Sequence, residues 1–293
     1  MRISTVILPH ERWSEARHTW ARAEELGLHA AYTYDHLSWR SFRHRPWFDA
    51  MGTLAAAAVS TSTIRLGTLV TSPNFRHPVP LAKELLTLDD LATGRLVVGI
   101  GSGGTGFDAS ALGHPDWSAA ERSARFAEFV ALLDRLLTQA ETTSTGEYYS
   151  AHAVMRHPAP IASPRPPFVI SAMGPRALDL AARFGEGWVT IGASDGGDHP
   201  STEVAVADQS RGLDAALDAW GRDRSSIERL LLDGFSEEPT LDSVDAFVDV
   251  AGRYGRRGIT ELVVHWPVAD SPFEGDLGLF ERIVIDGGAQ LEP

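Results

Sequence analysis

Two short stretches of this sequence combine residue types that can move a proton and seat an anion. The first is Tyr34-Asp35-His36, at the end of the apolar run His29–Tyr34. A neutral imidazole gives or takes a proton near neutral pH. His36 is therefore the candidate proton carrier and Asp35 its candidate catalytic neighbour; the plain alternative is a loop histidine that caps backbone groups. The second stretch is 166–191, PPFVISAMGPRALDLAARFGEGWVTI. Phe168-Val169-Ile170 reads as a buried strand, Ser171 to Gly174 are small enough for a tight turn, and Pro175 suits the first helical position. Ala177, Leu178, Ala181, Ala182 and Phe184 keep helical spacing until Gly185 and Gly187, after which Trp188–Ile191 resumes as a strand. Such a helix opens on free amides and the positive end of its dipole, a seat for a phosphate. A βα turn with no ligand is the other reading of the same residues.

A third feature is the glycine run 101–106, GSGGTG, after the apolar strand Leu96–Ile100. It is not the dinucleotide fingerprint, whose helix begins inside the glycines, because the next convincing helix starts near Ala119. Glycines let a backbone approach a flat or phosphorylated ligand closely, or they simply make a turn.

These features need a frame, and the chain supplies a repeating one. Apolar runs read as strands at Ile3–Leu8, His29–Tyr34, Ile64–Val70, Leu96–Ile100, Phe168–Ile170, Trp188–Ile191, Leu230–Leu232 and Glu261–His265. Nearly every one is followed by a helical pattern, the last being Leu277–Ile285. The segment 138–166 breaks the rhythm and reads as a hairpin excursion before strand five. No linker divides the chain, so 1–293 is expected to form one (β/α)₈ barrel, with a doubly wound sheet as the second choice. In a barrel the chemistry collects at the C-terminal strand ends, which here are His10, Asp35, His36, Thr71, Asn74, Ser102, Gly103, Ala172, Gly174, Thr190 and His265. The loop after strand two carries Trp39, Phe42, Trp47 and Phe48, suited to an apolar or planar substrate, to packing on the rim, or to a dimer interface.

Composition removes several classes. The chain has no cysteine, so disulfides, thiolate metal sites and cysteine nucleophiles are excluded. Its single lysine, Lys83, falls in a helical pattern, which argues against Schiff-base chemistry. A net charge of -13 disfavours nucleic acid and anionic membranes and leaves a small molecule as the expected partner. No HxH pair follows strand one and strand-end carboxylates are few, so no catalytic metal is expected. No apolar run approaches the roughly 20 residues of a membrane span and the opening residues lack a signal pattern, so the expectation is a cytoplasmic protein.

Across almost its whole length the chain resembles the bacterial luciferase-like flavin and deazaflavin oxidoreductases. The residues that carry the resemblance are Tyr34-Asp35-His36, the run 66–73 with Arg76-His77-Pro78, the run 88–95, the glycines from Gly99 to Gly104, the run 172–178 and Gly185-Glu186-Gly187-Trp188. The resemblance implies a barrel that holds FMN or coenzyme F420 at its open end, and a hydride transfer or oxygen activation on a small organic substrate. It implies that the 173–177 turn takes the cofactor phosphate, that a cis peptide at Leu69-Val70 lies behind the ring, and that Ser102 and Gly103 line its edge or tail. With the other strand-end residues, the expected cofactor contacts are Leu69, Val70, Ser102, Gly103, Ala172, Met173, Gly174, Pro175, Arg176, Ala177 and Thr190. Arg76 or Arg176 would supply charge to the phosphate. His36 matches the acid/base histidine of several members. Ser102 stands where luciferase has an arginine, which tilts the cofactor toward F420, while the glutamate that some deazaflavin dehydrogenases carry in the glycine loop is missing. A partner flavin or deazaflavin reductase and a homodimer are further implications. A flavin-binding protein without turnover and a metal-dependent hydrolase are the rival functions.

Overall fold

The computed structural model describes residues 1–104, 107–193 and 199–291. Eight parallel strands close into a barrel: β1 (Arg2–Val6), β2 (Ala30–Thr33), β3 (Arg65–Thr71), β4 (Leu96–Ile100), β7 (Phe168–Ser171), β8 (Gly187–Thr190), β9 (Glu228–Leu232) and β10 (Glu261–His265). They follow one another around the ring in that order, and β10 pairs with β1 in register from Arg2↔Glu261 to Val6↔His265. The expected excursion is a two-stranded antiparallel hairpin, β5 (Glu141–Thr145) and β6 (Ser150–Met155).

The apolar runs form strands because side chains alternate between two dry compartments. Each strand sends at least one residue into the barrel: Val6, Ala30, Tyr32, Leu69, Val97, Val169, Val189, Leu230, Leu232 and Val263 belong to one buried cluster. Their neighbours Ile3, Ala31, Leu66, Val98, Ile170, Trp188, Leu231 and Leu262 belong to the second cluster, under the helices. Those helices are α1 (Trp13–Glu25), α2 (Ala50–Ser60), α3 (Pro78–Leu91), α4 (Phe107–Ala111), α5 (Ala119–Thr138), α6 (Pro175–Phe184), α7 (His199–Ala219), α8 (Val244–Gly255), α9 (Leu277–Arg282) and α10 (Gly288–Leu291). Local chemistry fixes where they begin. Asp49, Ser118, Ser243 and Asp276 accept amide hydrogen bonds at the starts of α2, α5, α8 and α9, and prolines open α3 and α6. The closing helix is not continuous as expected: it changes to a π turn over Ile283–Gly287, where Gly287 sits against the Phe247 ring.

The N-terminal end of the barrel is closed by charge. Arg2 Nη1 donates to Glu228 Oε1 at 2.6 Å, and Arg65 Nη1 donates to Glu228 Oε2 at 3.3 Å and to His29 Nε2 at 2.9 Å. His29, Glu228 and Glu261 are grouped closely enough to suggest a metal site, but the two arginines already occupy that group. Burial, with Arg2 and Arg65 beside it, pushes the His29 imidazole down to about 4. No described helix is long and apolar enough to cross a membrane.

Candidate active site

Because all eight strands are parallel, every residue that follows a strand lies on the same rim. His36 follows β2, Ser72 and Asn74 follow β3, the glycine loop follows β4, and Met173 to Arg176 follow β7. These four strands are consecutive neighbours in the ring. At the usual interstrand spacing the arc from β2 to β7 runs roughly 14 Å.

At one end of the arc stands His36. Its side chain is 29% exposed and its Nδ1 lies 2.6 Å from Oδ2 of Asp108, a residue of α4 whose side chain is 4% exposed. Asp108 Oδ1 accepts from the Leu37 amide at 2.8 Å, and the Trp47 indole donates to the His36 carbonyl at 2.8 Å. Tyr34 presents its edge to the His36 ring and its hydroxyl to His265 Nε2, 2.6 Å away. Burial holds the Tyr34 phenol above its ordinary value and pushes His265 down to about 3.

Asp35, expected beside His36 as a catalytic neighbour, is held by side chains of the following segment. It is buried, Thr71 Oγ1 donates to its Oδ2 at 2.6 Å, and Arg76 grips both oxygens, Nε on Oδ2 at 3.0 Å and Nη2 on Oδ1 at 2.7 Å. Those three bonds tie Asp35 to the end of β3 and to Arg76, and so anchor the turn before His36. Arg76 is also paired with Asp49 and Glu84, which removes it as a source of charge for a phosphate.

The middle of the arc is built for close approach. The Leu69-Val70 peptide is cis, as expected. A Cβ on Gly101 would meet Val70 Cγ2 at 2.6 Å, and one on Gly103, whose φ is +71°, would meet Asn74 Oδ1 at 2.3 Å. Ser72 Oγ and Asn74 Oδ1 are buried without a hydrogen-bond partner among the described residues, while Asn74 Nδ2 donates to the Gly104 carbonyl. Buried polar atoms left unpaired in a cradle that excludes side chains point to a ligand that supplies the partners. Ser102 Oγ donates weakly to the Gly103 carbonyl, at 3.3 Å. Gly103→Ala is expected to weaken cofactor binding at least tenfold and to cost about 1–2 kcal/mol through its positive φ; a cofactor titration beside a urea melt checks both.

The far end is the start of α6. Its N-cap, Gly174, offers no side-chain hydrogen bond, and the space around Gly174 is open. Met173, Gly174, Pro175 and Arg176 are exposed, Ala177 is half-buried, and Arg176 has no ion-pair partner among the described residues. Two other expected contacts do not face this space. The Ala172 backbone is taken by Val189 and by the Trp188 indole, and the Thr190 hydroxyl is held between Gln209 and the Gly192 amide. The residues present otherwise fit a ring-and-phosphate cofactor: an uncapped helix start for the anion, glycines and orphaned polar atoms along its length, and an imidazole at the end.

The aromatic loop after β2 packs on the rim. Trp39 stacks with Trp47 and Phe273, and Phe42 is fully buried beneath them. His265 stacks on Phe273 at 3.5 Å between ring centroids. His77 is structural, accepting from the Val79 amide at the start of α3. The residue that sequence reasoning missed is Asp108. Its helix has five residues, too short for a period to show; the acid just past the glycine run was the only signal.

His265 gives a pH prediction. Between the ordinary imidazole value near 6.5 and the folded value of about 3, the unfolded chain binds a proton that the folded chain refuses. The stability His265 contributes is complete above 6.5 and lost as pH falls through that window, at about 1.4 kcal/mol per pH unit. Urea melts of the parent and His265→Gln from pH 7 to pH 4 should therefore show the parent losing its advantage on the acid side.

Comparison with known proteins agrees with this fold. Residues 1–218 match the family described as luciferase-like monooxygenase. A protein of Beutenbergia cavernae named F420-dependent glucose-6-phosphate dehydrogenase is 32% identical over 295 residues, covering 85% of this chain and 86% of its own length. Among solved structures, an F420-dependent secondary alcohol dehydrogenase in complex with an F420-acetone adduct superposes with a TM-score of 0.82 at 16% identity, over 100% of this chain and 99% of that one. A monooxygenase from Streptomyces bottropensis superposes with a TM-score of 0.78 at 21% identity, over 99% of each chain. The structures share the fold; the sequence match over most of its length places this chain in the luciferase-like monooxygenase family.

Proposed function

We propose that this chain is an F420-dependent oxidoreductase acting on a small alcohol or carbonyl compound, with His36 as its proton carrier. The observation that carries the reading is the unbroken arc over β2, β3, β4 and β7, which sets an uncapped helix start, a glycine cradle and an imidazole in line along one rim. The F420 dependence of the relative from Beutenbergia cavernae supports the deazaflavin over FMN, as does Ser102 at the position where luciferase has arginine.

When bound, F420 accepts or returns a hydride at a substrate carbon. The residues do the rest. The first-turn amides of α6 and the Arg176 guanidinium would hold its anionic tail. Val70, Gly101 and Gly103 would form the surface that receives its ring, and Ser72 Oγ and Asn74 Oδ1 would be free to accept or exchange hydrogen bonds with it. The packed rings of Trp39, Phe42, Trp47 and Phe273 exclude water from one side of the site. His36 takes the hydroxyl proton as the carbonyl forms, or returns it in the opposite direction. A second copy of the chain and a separate reductase to recycle the cofactor belong to the same reading.

His36→Ala should leave F420 affinity within a few fold while turnover falls about 10²-fold or more. The assay is the change in deazaflavin absorbance with a panel of secondary alcohols and sugar phosphates. Unchanged turnover in an active protein would remove His36 from the mechanism.

A further inference from the structure

The His36 imidazole has two nitrogens, and only one faces the protein. Its Nδ1 is 2.6 Å from Asp108 Oδ2, whereas its Nε2 makes no hydrogen bond among the described residues. A carboxylate accepts and cannot donate, so the nitrogen it faces must carry the hydrogen. We propose that Asp108 is the positioning residue that fixes His36 as its Nδ1–H tautomer, leaving the Nε2 lone pair as the atom that exchanges a proton with substrate.

The rest of the geometry argues for a purpose-built contact rather than a surface pair. Asp108 is nearly buried, and both of its oxygens are committed to the His36 segment, Oδ2 to the ring and Oδ1 to the Leu37 amide at 2.8 Å. The backbone of His36 is fixed from a third direction by the Trp47 indole. The ring can neither flip nor swing without breaking a charge-assisted hydrogen bond. Asp108 also comes from the loop after β4 while His36 follows β2, so the same segment that lines the cofactor cradle orients the proton carrier. In the alcohol-oxidising direction Nε2 would accept the substrate's hydroxyl proton while the carbinol hydride leaves for the bound deazaflavin, so that a carbonyl remains; a ring protonated on Nε2 and neutral has no lone pair there to accept that proton.

The inference rests on the proposed role of His36, so its first test needs no cofactor. The protein labelled with ¹⁵N in its histidines, studied near pH 8 without F420, should show His36 with a protonated Nδ1 and an unprotonated Nε2, the resonances being assigned by their loss in His36→Gln. Asp108→Asn is isosteric but can donate, and should move the proton to Nε2; Asp108→Glu should keep it on Nδ1. With F420 and the alcohol panel, Asp108→Asn should lower kcat about 10²-fold while KM and F420 affinity stay within a few fold, and Asp108→Glu should recover at least tenfold of the loss. A proton on Nε2 in the parent protein would overturn the inference, and so would an Asp108→Asn variant with parental kcat. Should Asp108→Asn fail to fold, the tautomer of the parent decides alone. The proposed tautomer together with an undiminished His36→Ala enzyme would instead count against the proton-carrier reading and leave the Asp108 contact standing.

Discussion

Gly99→Ala is expected to cost about 4 kcal/mol or more and to leave little folded protein. Gly99 lies within β4, and a Cβ there would sit 2.1 Å from the Thr68 carbonyl oxygen of β3. The obstacle is backbone, so no rotamer change relieves it, and the two strands would have to part. Their contact is tight from both sides, since a Cβ on Gly67 of β3 would lie 2.1 Å from the Val97 carbonyl oxygen of β4, and the Thr68 hydroxyl donates to the Gly99 carbonyl at 2.9 Å. Parting β3 from β4 would also separate the cradle of Val70, Gly101 and Asn74, so residual folded material should lose cofactor affinity. Gly104→Ala is the matched control. Nothing lies within 4 Å of a Cβ there, and the change should fall within about 0.5 kcal/mol of the parent. Urea unfolding of the three proteins side by side makes the comparison; a Gly99→Ala protein as stable as Gly104→Ala would show that the strands are not in contact as described.

Asp35→Ala should cost about 3 kcal/mol and lower turnover as well. Removing one member of a buried pair strands the other, and here the Arg76 side chain is only 13% exposed. Asp49 and Glu84 remain near Arg76 and soften the loss, which sets the expected cost at the lower end of the range for such pairs. The turnover effect follows from chain position: Asp35 anchors the residue before His36 and ties it to Thr71 at the end of β3. Kinetics separate this role from direct proton transfer. A positioning role predicts that turnover and stability fall together, whereas a catalytic carboxylate would lose turnover in a protein of parental stability.

Much of the frame was legible because buried parallel strands must be apolar along their whole length. Leu96–Ile100 and Glu261–His265 form strands with the boundaries their sequence suggests, and the others differ by one or two residues. The break before strand five was equally visible, since 138–166 lacks both periods and folds as the β5/β6 hairpin. Partner choice was not legible. Nothing in Asp35 announces a guanidinium 41 residues away, and nothing in Thr190 shows that its hydroxyl turns toward Gln209. The rings of Trp39 and Phe42 signal burial, but their sequence does not say what buries them, and here it is the rim itself. Asp108 stayed hidden because a helix of five residues after a glycine run has no period to detect. The candidate rim was thus readable in its strand-end positions and unreadable in the contacts between distant segments.

The central claim is that one rim of this barrel holds a deazaflavin with its tail at the start of α6 and its ring near His36. Titrating the purified protein with F420 and, separately, with FMN tests it most directly. Saturable F420 binding at least tenfold tighter than FMN binding, weakened at least tenfold by Gly103→Ala, is the predicted result. Tighter binding of FMN, or saturable binding of neither, would contradict it.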